Sequence, residues 1–114
     1  MLSVLFGVAL LSVALSAADI SGVWTIEFEK DFGGYPGSND CTFKQEGAKL
    51  TVTCDGATSR DGRVDDRRAM SQMPTGRNGE MTATFAGDLD ADGRAMKGTW
   101  RIADRDGEFT AHKQ

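Results

Sequence analysis

Asp88-Leu89-Asp90-Ala91-Asp92-Gly93 is the stretch of this sequence whose spacing comes nearest to a site for chemistry. Carboxylates at alternate positions can converge on a hard cation, and the glycine permits the sharp turn of a calcium loop. The second half of that pattern is missing. Position twelve would be Thr99, where a bidentate Glu is needed, and the flanking residues read as strands. The segment therefore reads as an acidic hairpin turn. Asp88, Asp90 and Asp92 remain a partial calcium match only, and the expected metal is none. Asp104-Arg105-Asp106-Gly107 is a still shorter version.

Other chemistries fare no better. His112 is the only histidine, which excludes a cluster of imidazole ligands and leaves a Ser-His-Asp triad a single base to draw on. No Gly-x-Ser-x-Gly occurs, and no glycine-rich loop between a strand and a helix offers a phosphate cradle. The carboxylate pairs Asp65/Asp66 and Glu27/Glu29 fall on exposed positions without an apolar setting to raise a pKa. The sequence contains no constellation of nucleophile and base. It is read as non-enzymatic, with no cofactor.

Cys41 and Cys54 carry the one covalent inference. They stand at equal distances from Gly47-Ala48, on the two arms of a β-hairpin. With those two residues as the loop, the partners are Glu46/Lys49, Gln45/Leu50, Lys44/Thr51, Phe43/Val52, Thr42/Thr53 and Cys41/Cys54. The cysteines then form a non-hydrogen-bonded pair, with Cα atoms roughly 4.5 Å apart, within disulfide range. The same register puts Cys41, Phe43, Leu50, Val52 and Cys54 on one face, with Gln45 the polar intruder. A slip of one residue would destroy that segregation. The alternative is two free thiols in a reducing compartment.

The remaining candidates are aromatic. Trp24, Phe28, Phe43, Phe85, Trp100 and Phe109 all fall on predicted inward faces. They make either a packed core or the lining of a pocket for a small apolar ligand. Phe32 and Tyr35 lie in the Gly-, Pro- and Ser-rich stretch Asp31–Asp40, a flexible loop suited to a lid or a partner contact.

The elements that must position these residues are strands. Trp24, Ile26 and Phe28 alternate with Thr25, Glu27 and Glu29. Met81, Ala83 and Phe85 alternate with Thr82 and Thr84. Met96, Gly98, Trp100 and Ile102 alternate with Lys97, Thr99 and Arg101, and Phe109 and Ala111 alternate with Glu108 and Thr110. Turns are expected at Asp88–Gly93 and Asp104–Gly107. Within Asp55–Gly79 a short strand is expected near Ala57–Arg63. A helical turn is expected from Asp65 to Met73, capped by Asp65, with Ala69, Met70 and Met73 on one side and Pro74 beyond its end. The predicted fold is all-β: an antiparallel up-and-down meander closed into a small barrel of six to eight strands.

The N-terminus reads as a signal helix. Residues 1–18 carry no charged side chain, and Val4–Leu15 is an apolar run of signal-peptide length. Ser16-Ala17-Ala18 offers small residues for cleavage before Asp19. The alternative is an uncleaved anchor. A mature β-barrel domain over 19–114 is small enough to need a staple. A disulfide closing about 14 residues contributes roughly 3 kcal/mol in the chain-entropy model. The net charge of −4 lies wholly in this part. It argues against nucleic acid, because Arg60, Arg63, Arg67, Arg68 and Arg77 are interleaved with Asp55, Asp61, Asp65 and Asp66.

Gly22-x-Trp24, the hairpin Phe43–Leu50, Phe85–Asp90 running into Met96–Trp100, and the closing Gly107–Ala111 together resemble small secreted bacterial barrels of lipocalin-like or avidin-like form. The resemblance implies a barrel with Trp24 packed at one end. It does not imply biotin binding, since the set of biotin-contacting positions is incomplete. The functional expectation is a secreted or periplasmic binding protein for a small apolar ligand or an extracytoplasmic protein partner, with no membrane contact after signal cleavage. The alternative is an inhibitor of a hydrolase, acting through its loops.

Overall fold

A computed structural model of the chain describes residues 19–30, 34, 36–76 and 78–114. The expected signal segment, and with it Phe32 and Tyr35, lies outside the described residues.

Every regular element among the described residues is a strand. In chain order they are β1 (Gly22–Phe28), β2 (Gly37–Glu46), β3 (Lys49–Cys54), β4 (Ala57–Thr58), β5 (Arg60–Asp65), β6 (Arg68–Thr75), β7 (Met81–Leu89), β8 (Ala95–Ile102) and β9 (Arg105–Lys113). All pairings are antiparallel. β2 pairs with β3, β6 with both β5 and β7, β8 with both β7 and β9, and β9 returns to β1. β4 and β5 share one place in the wall, beside β3. The result is a closed barrel of eight strands, the upper end of the expected number. Closure leaves the sheet no long edge.

Alternation decides which side chains enter. Trp24, Ile26 and Phe28 are buried on β1, Ala83, Gly87 and Leu89 on β7, Met96, Trp100 and Ile102 on β8, and Phe109 and Ala111 on β9. The β2–β3 register matches the predicted one at all six pairs, and Cys41 and Cys54 are joined in a disulfide with Cα atoms 4.5 Å apart. Two other details of that wall depend on single residues. Val52 N donates to Ser59 Oγ, and Ser59 N to Val52 O, so the hydroxyl bridges the break between β4 and β5. The β5–β6 register shifts between Arg60 and Arg63, with Asp61 at φ 49°. Beside it the backbone of Gly62 runs so close to the Leu50 carbonyl that a Cβ has no room.

The expected helical turn from Asp65 to Met73 is not formed. That segment is the β5–β6 hairpin, turning at Asp66-Arg67, with Asp66 at φ 56°. Ala69, Ser71 and Met73 are buried and Gln72 is exposed, a period of two. Asp65 pairs with Arg68 across the hairpin and caps nothing. Pro74 sits inside β6, opposite Thr82 near the strand end, where a missing amide is tolerated. Two turns also shift by a residue or two. Asp88 and Leu89 belong to β7, and the last hairpin turns at Ala103-Asp104.

One end of the barrel is closed by the chain that enters β1. Ile20 and Trp24 are fully buried. Trp24 Nε1 donates to the Ile20 carbonyl at 2.9 Å, and the indole stacks on Phe43 with ring centroids 5.0 Å apart. Gln45, the polar intruder of the sequence pattern, has a place here. Its Oε1 accepts from Ile20 N, its Nε2 donates to the Gly47 carbonyl, and its own amide donates to Ser21 Oγ. A side chain turned toward the core is thereby satisfied.

Candidate functional site

With one end sealed by Trp24, the interior beyond it is left partly empty. A cavity of about 330 Å³ lies among Phe28, Phe43, Phe85 and Phe109, the disulfide, and Leu50, Val52, Ala69, Met73 and Met96. Phe28, Phe85 and Phe109 form one wall. Their centroids are 5.7 to 6.4 Å apart with tilted or edge-on rings, the arrangement that aromatic quadrupoles favour. Phe109 gains its position from missing side chains. A Cβ on Gly98 would come within 2.7 Å of its ring tip, and one on Gly87 within 3.3 Å. The cysteines, Leu50, Val52 and Ala69 also line the cavity, with Met70, Met73 and Met96.

Gly37, Ser38 and Asn39 contribute the rim. This part of β2 pairs with β1 but extends past Cys41, where its partner β3 stops at Cys54. The wall is therefore lower on that side, and Ser38 and Asn39 are exposed there. No lining residue among the described residues is ionisable. A charged guest would lose its hydration there without a counter-charge from these residues.

Of the six aromatic residues expected on inward faces, Phe28, Phe43, Phe85 and Phe109 border this cavity. Trp24 and Trp100 are inward but do not line the cavity. Trp24 belongs to the closed end. Trp100 lies against Gly107, its Nε1 donating to the Lys30 carbonyl at 3.2 Å. Ala69, Ser71 and Met73 were hidden by the helical reading of their segment. The signal that reveals them is the alternation Ala69-x-Ser71-x-Met73.

The acidic turn is not assembled for a cation. Asp88 is exposed on β7 and pairs with Arg68 at 3.6 Å. Asp90 Oδ1 accepts from the Arg94 and Ala95 amides. Those hydrogen bonds, the Arg94 one first, hold its carboxyl below the usual carboxylate range. Among the described residues no group of three or more His, Cys, Asp or Glu side chains is placed to hold a metal. His112 is exposed on β9, opposite Thr25 and Ala95. Asp19 also has a lowered pKa, through hydrogen bonds from Ser21.

The fold and the site together define a class: a closed eight-stranded antiparallel barrel, stapled by one disulfide, with an apolar hollow among its described residues. No family model and no curated protein matches this sequence. No helix among the described residues is long and apolar enough to cross a membrane.

Proposed function

We propose that this protein is a non-enzymatic binding protein for a small, neutral, apolar molecule, acting in a secreted or periplasmic setting. The observation that supports this reading is the hollow itself. An apolar space without a guest forfeits dispersion contacts and lowers stability. A small domain has little stability to spare, and filling the hollow would take only larger side chains at Ala69 or Val52. Its volume of about 330 Å³ falls at the low end of the range for ligand sites, roughly 300–1,000 Å³. Barrels of eight strands either fill with side chains or hold one small ligand. The disulfide fits an oxidising compartment, where the predicted signal would deliver the chain.

1-Aminonaphthalene, a two-ring molecule that is neutral at pH 7 and whose emission shifts to the blue in apolar surroundings, tests the reading. It should bind with one-to-one stoichiometry and a Kd on the order of micromolar, as expected for a ligand of its size. Ala69→Phe, which places a ring in the hollow, should abolish the signal with the fold intact. A wild-type protein that gives no saturable signal, or an Ala69→Phe variant that binds unchanged, would refute the reading.

A further inference from the structure

Ser71 is the one buried polar side chain in the molecule's described part, 8% exposed. It alternates with Ala69 and Met73 on the inner face of β6 and lines the cavity. Its hydroxyl is not sealed in the wall without a partner, and no hydrogen bond from another described residue engages it. A lone hydroxyl facing an apolar hollow is poorly served by the protein and offers both a donor and an acceptor to a guest. Ser38 and Asn39 differ, because they are exposed at the rim and water satisfies them with or without a ligand. They discriminate little.

The rest of the wall describes the remainder of the guest. Phe28, Phe43, Phe85 and Phe109 are aromatic, and Met73 and Met96 are inward-facing methionines with polarisable side chains. Both favour an aromatic partner over a saturated one. Size follows by comparison: an apolar cavity of about 150 Å³ takes one benzene. A hollow of about 330 Å³ takes a molecule of two fused rings.

Resting on the binding-protein reading above, we infer that Ser71 is the specificity-determining residue of the cavity. Its ligand class is a neutral aromatic molecule of about two rings with one hydroxyl or carbonyl group, hydrogen-bonded to Ser71 Oγ. The full chain is titrated calorimetrically with naphthol, naphthalene and decahydronaphthol. Naphthol should bind about five- to ten-fold tighter than naphthalene, the worth of one hydrogen bond, and tighter than its saturated counterpart. Ser71→Ala should erase the preference for naphthol while still binding naphthalene, and Ser71→Thr, which keeps the hydroxyl, should retain it. If the wild type binds none of the three, the binding-protein reading fails and the Ser71 assignment with it. If naphthalene and naphthol bind equally, or Ser71→Ala keeps the preference, the assignment fails alone. Equal binding of decahydronaphthol and naphthol overturns the aromatic class.

Discussion

Asp90 shows how a residue that looks like a ligand is used up by its own turn. Its carboxylate accepts the Arg94 and Ala95 amides and so ends β7 and starts β8. Its pKa is lowered in the fold, chiefly by the Arg94 amide. A group with a depressed folded pKa contributes its stability fully above its unfolded value, and loses it as pH falls through the folded one. Wild type should therefore be more stable than Asp90→Ala at neutral pH, with the gap closing as the pH drops below the carboxylate range. Urea unfolding of both proteins across the acid range measures it. A gap that persists unchanged at the lowest pH contradicts this role. The alternating Asp pattern was legible in the sequence. That one carboxylate would be taken by amides and another by Arg68 was not, because both partners are set by hairpin geometry.

At the scale of elements, the β2–β3 hairpin was readable to the last pair, and the β5–β6 hairpin was not. The difference is the strength of the alternation. Cys41, Phe43, Leu50, Val52 and Cys54 form an apolar face with a clear polar opposite, and a loop centred on Gly47 leaves one register. On β5 the inner face holds Gly62, a bulge at Asp61 interrupts the parity, and β6 carries serine among its inward residues. A sequence with Asp ahead of Ala69, Met70 and Met73 then mimics a capped helix. The chain prefers the hairpin because β6 is held on both sides. It pairs with β7 along its whole length, and Leu89 N donates to the Arg67 carbonyl at 2.7 Å. The disulfide acts on the readable hairpin. Replacing both cysteines by alanine should lower stability by roughly 3 kcal/mol in the chain-entropy model. The check is the difference in denaturation midpoint between that variant and the oxidised wild type. A difference near zero would mean that the hairpin is equally constrained without the bond.

Across the whole molecule, stability and binding are linked through the hollow. A ligand that occupies the folded barrel and not the unfolded chain raises stability by about 2.7 kcal/mol at one hundred times its Kd. Naphthol at that excess should raise the unfolding midpoint of the wild type and leave that of Ala69→Phe in place. A matching rise in both proteins would locate the binding outside the cavity. The Trp24 end is closed: Ile20, Trp24, Phe43 and Gln45 are satisfied among themselves, so exchange of the proposed ligand would fall to the rim at Gly37–Asn39.

Sequence alone determined what is local and strongly periodic: which residues alternate inward on β1, β2, β3, β7, β8 and β9, the register of the β2–β3 hairpin, and that Cys41 meets Cys54. These follow from the two-residue repeat of a strand and the length of a turn, and need no knowledge of the remaining chain. Only the tertiary structure decided that β9 closes on β1, that Trp24 seals one end while Phe28, Phe85 and Phe109 line the other, and that a hollow remains before Ser71. Empty space belongs to no residue. It is the difference between the volume that eight strands enclose and the volume of side chains that enter from distant parts of the chain.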